Sequence, residues 1–414
     1  MAIRSANEWG ATVTRWALIA LGVSIPVSTA LDNMLLPVIL AACVISGQTR
    51  AIIDGVRRHP ELCLPVSLFG LLAVGILYGE SPLRHASAHL WKYADLMFIP
   101  VFALAFRRPD TRRHALTAFA LTIGVTVVLS YMVYFGLLPK LPFLAYDGPS
   151  PTVFKYKITH NILVAFGAFL FVWLGRTSTS TSRRVRLAWY GLALLAALNV
   201  LLMVRGATGY VIIFSLGLLW ALELSSWRGA ISGMLALVGV LTLLSLVPNP
   251  LQQRYAMVQQ EIQLWRSGNA TAEATSTGQR LEYYRNTLGI IKDHPLTGVG
   301  TGGFIKAYAE QVKGTGKQQT HNPHNEFLNI TAQIGIAGLL VLIAMFWAQW
   351  RTAGQLATPM EQSLVRALVL TLVTGCLVNS LLLDHAEGLF YAWMSGLLYG
   401  GLKYTPSDKP LATA

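Results

Sequence analysis

The sequence predicts an all-α integral membrane protein of about twelve transmembrane helices. Three observations predict this class. Of the 414 residues, 54% are hydrophobic and only 12% are charged, about half the charged fraction of a soluble domain. The apolar residues also gather in runs, most of them close to the roughly 20 residues that a helix needs to cross a bilayer. The runs lie at 13–31, 33–46, 62–79, 89–106, 114–138, 160–175, 186–204, 207–225, 229–248, 324–348, 363–383 and 386–402.

The 32 Lys and Arg residues indicate the orientation of these helices. With the N-terminus in the cytoplasm, most basic residues of the short loops fall on the cytoplasmic side, as the positive-inside rule requires. Arg107, Arg108, Arg112 and Arg113 form one such loop, whereas outer loops hold isolated residues such as Lys140. We therefore expect both termini in the cytoplasm. The net charge of +13 is explained by the basic cytoplasmic loops and does not indicate nucleic-acid binding.

The order of the runs predicts a domain organisation with one large outer loop. The loop is expected to hold two or three amphipathic helices, because apolar residues recur at helical spacing on both sides of a polar linker at 267–279. The second of these helices should end before Pro295, since proline cannot continue a helix. The predicted parts are spans 1–9 in 1–248, the loop domain in 249–323, spans 10–12 in 324–402 and a cytoplasmic tail in 403–414.

We expect neither a metal nor another cofactor. No Asp-x-Asp pair occurs, and no outward carboxylates cluster with histidines at ligand spacing, as a divalent ion would require. The glycine-rich run 298–303 lacks the strand and helix of a nucleotide loop, so a turn is favoured over a phosphate cradle. Any phosphate would then need arginines, and Arg205 and Arg280 are the candidates. The alternatives are a membrane-interface anchor for Arg205, and solvation on the helix surface or a pair with Glu282 for Arg280.

His324 is the candidate general base. It lies in the polar run 320–328, which opens the tenth apolar segment, and we expect Pro323 in the first turn of that helix. Gly335 lies eleven residues later, about three turns along the same face, and should let another helix approach closely beneath the histidine. His321 is a weaker candidate that could orient the substrate or cap the helix. The alternative for His324 is a hydrogen bond to a neighbouring loop without catalysis.

Other polar residues are also expected on the outer side. Lys155 and His160 precede the sixth span, and interfacial polar residues are the competing interpretation for both. Asp384 and Glu387 join the last two spans, where one of them could contribute a carboxylate.

Three blocks of this sequence resemble the O-antigen ligase family. The histidine block is moderately specific, because O-antigen polymerases and protein O-oligosaccharyltransferases share it in part. The blocks cover about a third of the chain and are His324-Asn325-x₉-Gly335-x-x-Gly338, Gly278-Gln279-Arg280 with His294-Pro295-Leu296-Thr297-Gly298-Val299-Gly300, and Arg205-Gly206-Ala207-Thr208-Gly209.

The resemblance implies transfer of a glycan from undecaprenyl pyrophosphate to lipid A–core at the periplasmic face of the bacterial inner membrane. It also implies a GT-C-like fold and an inverting reaction without metal or ATP. His324 would be the base or an electrostatic stabiliser, and Arg205 and Arg280 would bind the donor pyrophosphate. Partners would be the lipid-linked donor, the lipid A–core acceptor and membrane lipids, with no nucleic acid. Possible substrate contacts are His321, Asn325, Lys155, His160 and Tyr210.

Two other classes of function compete with the ligase. A polymerase or a protein O-oligosaccharyltransferase would use the same donor with another acceptor, and the residues barely distinguish these from a ligase. A transporter is disfavoured, because the unusual polar residues cluster at the outer boundary rather than at mid-membrane.

Overall fold

The structure is helical and contains no β-strand in the described part of the chain. A computed structural model describes residues 2–138, 150–177, 182–224, 227–246 and 248–402; Lys140 and the predicted tail 403–414 lie outside them. A π-helix, Asn199–Met203, extends the ninth α-helix. The α-helices are α1 Ala2–Val27, α2 Thr29–Ile45, α3 Thr49–Arg58, α4 Pro60–Tyr78, α5 Leu83–Trp91, α6 Phe98–Ala105, α7 Pro109–Tyr134, α8 Lys157–Thr177, α9 Arg183–Leu198, α10 Ala207–Leu222, α11 Trp227–Leu246, α12 Pro250–Arg266, α13 Ser276–Asp293, α14 Phe304–Gln311, α15 Glu326–Thr352, α16 Pro359–Cys376 and α17 His385–Tyr399.

Six of the described helices are long and apolar enough to cross a membrane. They are Asn7–Val27, Pro60–Tyr78, Pro109–Tyr134, Lys157–Thr177, Arg183–Met203 and Glu326–Gln355. The pair α2 and α3, bent by 98°, makes a seventh if it counts as one span. Several apolar helices thus confirm a multi-pass membrane protein, but the predicted count of twelve is not confirmed.

The predicted continuous span 89–106 is wrong. Helix α5 ends at Trp91, and a short 3₁₀ helix, Ala94–Met97, separates it from α6. The break holds two buried polar side chains that bond to distant parts of the chain. The Tyr93 hydroxyl donates to Glu326 Oε1 at 2.7 Å, and Asp95 Oδ2 lies 3.1 Å from His385 Nδ1. These tertiary bonds offset the loss of helical hydrogen bonds, which the hydrophobic pattern does not reveal.

Aromatic rings fill the centre of the bundle where α7, α8 and α17 meet. The ring of Phe390 lies 5.2 Å from that of Phe166 and 5.6 Å from that of Phe119, and Trp393 lies 5.7 Å from Phe119. All four side chains are fully buried. Because offset and edge-to-face ring pairs stabilise beyond their buried area, these contacts explain why the short helix α17 lies inside the bundle.

Helices α12, α13 and α14 cover one end of the bundle, which we call the loop end. Here α4 and α16 finish and α8, α10 and α15 begin. The Tyr78 hydroxyl at the end of α4 donates to the carbonyl of Thr297 at 2.7 Å. The prediction of helices in the loop is confirmed, but the linker 267–279 is shorter than predicted. Thr275 caps α13 by accepting the Gly278 N–H at 3.1 Å, so this helix begins at Ser276.

Helix α15 is broken at Gly335, where a loop segment enters. Gly335 has φ 67° and ψ −165°, a backbone conformation that only glycine adopts readily. The N–H of Ile336 is thereby free to donate to the carbonyl of Pro295 at 3.0 Å. A Cβ on Gly335 would overlap the carbonyl of Leu296. A segment of the chain does pack closely against Gly335, as predicted, but this segment is the loop after α13 and not another helix.

The glycine-rich run 298–303 completes this docked segment. Its backbone N–H groups bond to the protein, so they are not available to cradle a phosphate, and the turn interpretation holds. The bonds are Val299 N to Ala332 O at 2.9 Å, Gly300 N to Gln333 O at 2.9 Å, Thr301 N to Gly75 O at 3.1 Å and Gly302 N to Gln333 Oε1 at 2.9 Å.

Replacement of Gly335 by alanine should destabilise the fold strongly. A left-handed backbone costs a non-glycine residue about 1–2 kcal/mol, and the overlap with Leu296 adds to it. We expect a clearly lower thermal unfolding midpoint for Gly335→Ala in detergent. Gly70→Ala is the control, because Gly70 lies inside α4 with nothing within 4 Å of an added Cβ. Equal midpoints for the two variants would contradict the docking of the loop at Gly335.

Candidate active site at the loop end

His324 lies just outside α15, in a strained backbone conformation. The predicted helix start at 324, with Pro323 in the first turn, is wrong. Asn325 is the N-cap, since its Oδ1 accepts the N–H of Leu328 at 3.0 Å, so the helix begins at Glu326. His324 has φ 53° and is the only non-glycine residue with positive φ in the described part of the chain. Strain of this kind is typical of functional sites.

Hydrogen bonds on both sides hold the backbone of His324 in place. Its N–H donates to Asn322 Oδ1 at 2.8 Å. Its carbonyl accepts from the Tyr284 hydroxyl at 3.1 Å, and that hydroxyl also lies 3.0 Å from the carbonyl of Leu377. The loop, α13 and the end of α16 therefore fix this residue jointly, which offsets the cost of its conformation.

The surroundings of the His324 imidazole favour its neutral form. The ring stacks on Tyr283, with centroids 6.0 Å apart and planes at 25°. Burial lowers the pKa of His324 below its ordinary value, and the positive charge of Arg280 lowers it further; a hydrogen bond with Asn379 acts in the opposite direction. A neutral imidazole can accept a proton, so the site suits a general base at neutral pH.

A cavity of about 260 Å³ lies beside this histidine. Asn379 connects the two, because it bonds to His324 and donates from Nδ2 to Thr208 Oγ1 at 2.9 Å, and Thr208 lines the cavity. The first turns of α8 and α10 form one wall, and α12 and α13 form the other. The lining residues are Lys157, Ile158, Asn161, Arg205, Gly206, Ala207, Thr208, Tyr210, Pro250, Gln253, Arg254, Met257, Ser276 and Arg280.

The cavity carries an excess of positive charge. Arg254 Nη1 lies 3.4 Å from Glu261 Oε1, whereas Arg205 and Arg280 have no carboxylate at ion-pair distance among the described residues. Burial lowers the pKa of Arg280, but a guanidinium remains charged at any physiological pH. Arginines that converge without counter-charges indicate a site for an anion with more than one negative charge.

The comparison with known proteins identifies the part of the chain that builds this site. Residues 158–343 match the family model described as O-antigen ligase. This segment of the chain is similar to the O-antigen ligase family. The match runs from α8 to α15 and includes Arg205, Arg280 and His324, so it confirms the resemblance and supports glycosyl transfer of the O-antigen ligase or polymerase type. No curated protein matches the chain.

The structure brings together four of the residues predicted for the O-antigen ligase site. Arg205, Tyr210 and Arg280 line the same cavity, and His324 lies next to it. Arg280 falls in the second turn of α13 rather than at its start. Its alternative pairing with Glu282 is wrong, because Glu282 bonds to Lys317 instead.

The other four predicted contacts lie outside the cavity lining. Asn325 caps α15 and donates from Nδ2 to the carbonyl of Leu377 at 3.0 Å, and His321 is exposed. The remaining two make bonds within the bundle: Lys155 Nζ to Thr29 Oγ1 at 2.9 Å, and His160 Nε2 with Asn199 Oδ1 at 2.9 Å. A role of these four in substrate binding stays a prediction.

Sequence reasoning missed Arg254 and Asn379 as residues of the site. The sequence did contain a pattern that could have indicated Arg254, because Pro250, Gln253, Arg254 and Met257 follow helical spacing. In the structure all four line the cavity from α12. No comparable signal marked Asn379, which lies between α16 and α17 and reaches the site only through the tertiary fold.

Removal of the Arg280 charge should shift the pH dependence of transfer. If His324 is the general base, as predicted, transfer needs its neutral form, which is present above the histidine pKa and is lost as the pH falls through it. Because Arg280 lowers that pKa, Arg280→Gln should raise it and move the acid limb of the pH–rate profile to higher pH at saturating donor. Arg285→Gln is the control, because Arg285 is exposed on α13 and outside the cavity. If the acid limb of Arg280→Gln lies at the same pH as that of the unmodified protein, the effect of Arg280 on the pKa of His324 is contradicted.

Proposed function

We propose that the protein is an O-antigen ligase. It transfers a glycan from undecaprenyl pyrophosphate to the lipid A–core oligosaccharide. The observation that carries the proposal is the placement of a fixed histidine, whose surroundings favour the neutral form, beside a cavity that Arg205 and Arg280 line without a carboxylate partner among the described residues. The arginines can bind the diphosphate of a lipid-linked donor, and the histidine can take a proton from a sugar hydroxyl.

The arginines bind the pyrophosphate of the donor. Arg205 lies exposed just before α10, whereas Arg280 is half-buried on α13, so the two approach the phosphates from opposite walls. Guanidinium groups match phosphate oxygens in bidentate geometry. They also stabilise the negative charge that develops on the leaving group. The donor is already activated, so the reaction needs no nucleotide.

His324 acts on the acceptor. Its neutral imidazole takes the proton from an acceptor hydroxyl as that oxygen bonds to the anomeric carbon of the glycan. The bond from the anomeric carbon to the phosphate oxygen breaks at the same time, and undecaprenyl pyrophosphate leaves with the electron pair. Attack from the side opposite the pyrophosphate inverts the anomeric configuration.

The proposed location follows from the charge pattern and the helices. The bundle lies in the bacterial inner membrane with both termini in the cytoplasm, and the loop end faces the periplasm. The cavity then lies close to the outer headgroups, where a lipid-linked donor and a lipid acceptor can meet by lateral diffusion.

An assay with purified protein in detergent tests this function. An undecaprenyl-pyrophosphate-linked glycan is supplied with lipid A–core or alone, and the products are separated on a gel. Glycan on lipid A–core supports the ligase. Elongated donor with unmodified core would identify a polymerase instead. If neither product forms, a peptide is supplied as the acceptor, and transfer to it would identify a protein O-oligosaccharyltransferase.

Replacement of His324 should abolish transfer without loss of the fold. We expect the rate of His324→Ala to fall at least about 10²-fold, the usual effect of removing a general base. His324→Gly should be equally inactive but at least as stable as His324→Ala, because glycine accepts the positive φ without strain. Rates and unfolding midpoints are measured on the same preparations. Retained transfer by a monodisperse variant would remove His324 from the mechanism.

Replacement of the cavity arginines should weaken use of the donor. A hydrogen bond to a charged group contributes about 1.5–3 kcal/mol, so Arg205→Ala and Arg280→Ala should raise the donor KM roughly 10- to 150-fold. The acceptor KM should change little, because the two arginines bind the pyrophosphate of the donor and not the acceptor. Arg285→Ala serves as the matched control and should resemble the unmodified protein. An equal effect on both substrates would count against pyrophosphate binding.

A further inference from the structure

Two residues that line the cavity each carry a buried polar atom that the protein itself leaves unbonded. These atoms are Asn161 Oδ1 and the Tyr210 hydroxyl, and neither has a hydrogen-bond partner among the described residues. Asn161 is 0% exposed and Tyr210 is 5% exposed, yet both residues line the cavity. An unbonded buried polar atom costs about 1–3 kcal/mol, so its persistence in a cavity indicates a ligand that completes the bond.

The position of the Asn161 side chain is fixed closely. Its Nδ2 donates to the carbonyl of Val204 at 3.0 Å, the residue directly before Arg205. A Cβ built on Gly206 or Gly209 would lie 2.8 Å from this side chain, so neither glycine can be replaced by a larger residue without displacing Asn161. Nδ2 donates one of its hydrogens to Val204, whereas Oδ1 is the side-chain atom that has no partner among the described residues.

The chemistry of this oxygen restricts what it can bind. An amide oxygen only accepts hydrogen bonds, and a phosphate at neutral pH presents mainly acceptor oxygens. The unbonded Oδ1 of Asn161 therefore requires a group that carries a hydrogen, which a phosphate does not offer it. The Tyr210 hydroxyl both donates and accepts, so it places no such restriction. In a lipid-linked diphosphate, the nearest groups with a hydrogen are the hydroxyls and amide N–H of the first sugar.

We propose that Asn161 reads the first sugar of the donor by accepting a hydrogen bond from a hydroxyl or amide N–H next to the pyrophosphate. This inference rests on the proposed function, since it places the donor in the cavity. The arginines then supply affinity for any polyprenyl diphosphate, and Asn161 supplies preference for one that carries a sugar. A site that hydrogen-bonds a substrate group rejects the analogue without it, because its buried atom is left unpaired.

Binding of two synthetic ligands tests the proposal. One is a short-chain polyprenyl pyrophosphate, and the other is the same lipid with an N-acetylhexosamine on its terminal phosphate. Dissociation constants are measured by titration calorimetry of the detergent-solubilised full chain. We expect the unmodified protein to bind the sugar-bearing lipid roughly tenfold more tightly, the effect of one buried hydrogen bond. Asn161→Ala should lose this preference, because its affinity for the sugar-bearing lipid falls more than its affinity for the sugar-free lipid.

Two further variants make the test independent of a single substitution. Gly209→Ala should weaken the preference as well, because the added Cβ displaces Asn161. Asn161→Ser, whose hydroxyl can still donate to Val204, replaces Asn161→Ala if the latter is not monodisperse. Asn33→Ala is the matched control, an exposed asparagine on α2, and should keep the preference.

Each other outcome overturns the proposal in a distinct way. Equal weakening of both ligands in Asn161→Ala would show that Asn161 only supports the fold of the site. An unchanged preference would show that the sugar does not reach Asn161. Absence of binding of either ligand to the unmodified protein would contradict the donor cavity itself, and so the proposed function along with this inference.

Discussion

The docking of the loop after α13 into the break of α15 is the constraint on which the site depends. Backbone bonds such as Ile336 N to Pro295 O join the end of α13 to the middle of α15. Helix α13 carries Arg280, and α15 begins just after His324. The distance between base and cation is therefore set by main-chain hydrogen bonds and one positive-φ glycine, Gly335, rather than by long side chains. Such a connection keeps the relative position of the two groups rigid.

The positive charge of the cavity serves two purposes. In the empty site, Arg280 helps to keep the His324 imidazole neutral and ready to accept a proton. When an anionic diphosphate enters, it offsets that charge, and a neighbouring negative charge raises the pKa of a histidine. The base should thus become stronger once the donor is bound. In the proposed function, the Arg280 guanidinium thus couples binding of the donor diphosphate to proton transfer by His324.

Charges elsewhere at the loop end behave differently, because they are paired. Lys155 Nζ lies 4.0 Å from Asp32 Oδ2, and His385 Nδ1 lies 3.1 Å from Asp95 Oδ2. Buried ions in a membrane protein are costly unless they have such partners. Arg280 differs, because it is half-buried and has no carboxylate at ion-pair distance among the described residues; in the proposed function the donor pyrophosphate supplies its counter-charge.

The sequence by itself determined the membrane class, the helices of the loop and the chemical candidates His324, Arg205 and Arg280. These follow from composition, spacing and residue chemistry, which are local properties. Only the tertiary structure decided the positive φ of His324 and the cavity that unites the two arginines with Asn161. Those features depend on hydrogen bonds and steric limits between residues far apart in the chain. The predicted count of twelve spans is not confirmed, and one predicted span, 89–106, is broken because buried polar side chains form tertiary bonds that hydropathy alone does not reveal.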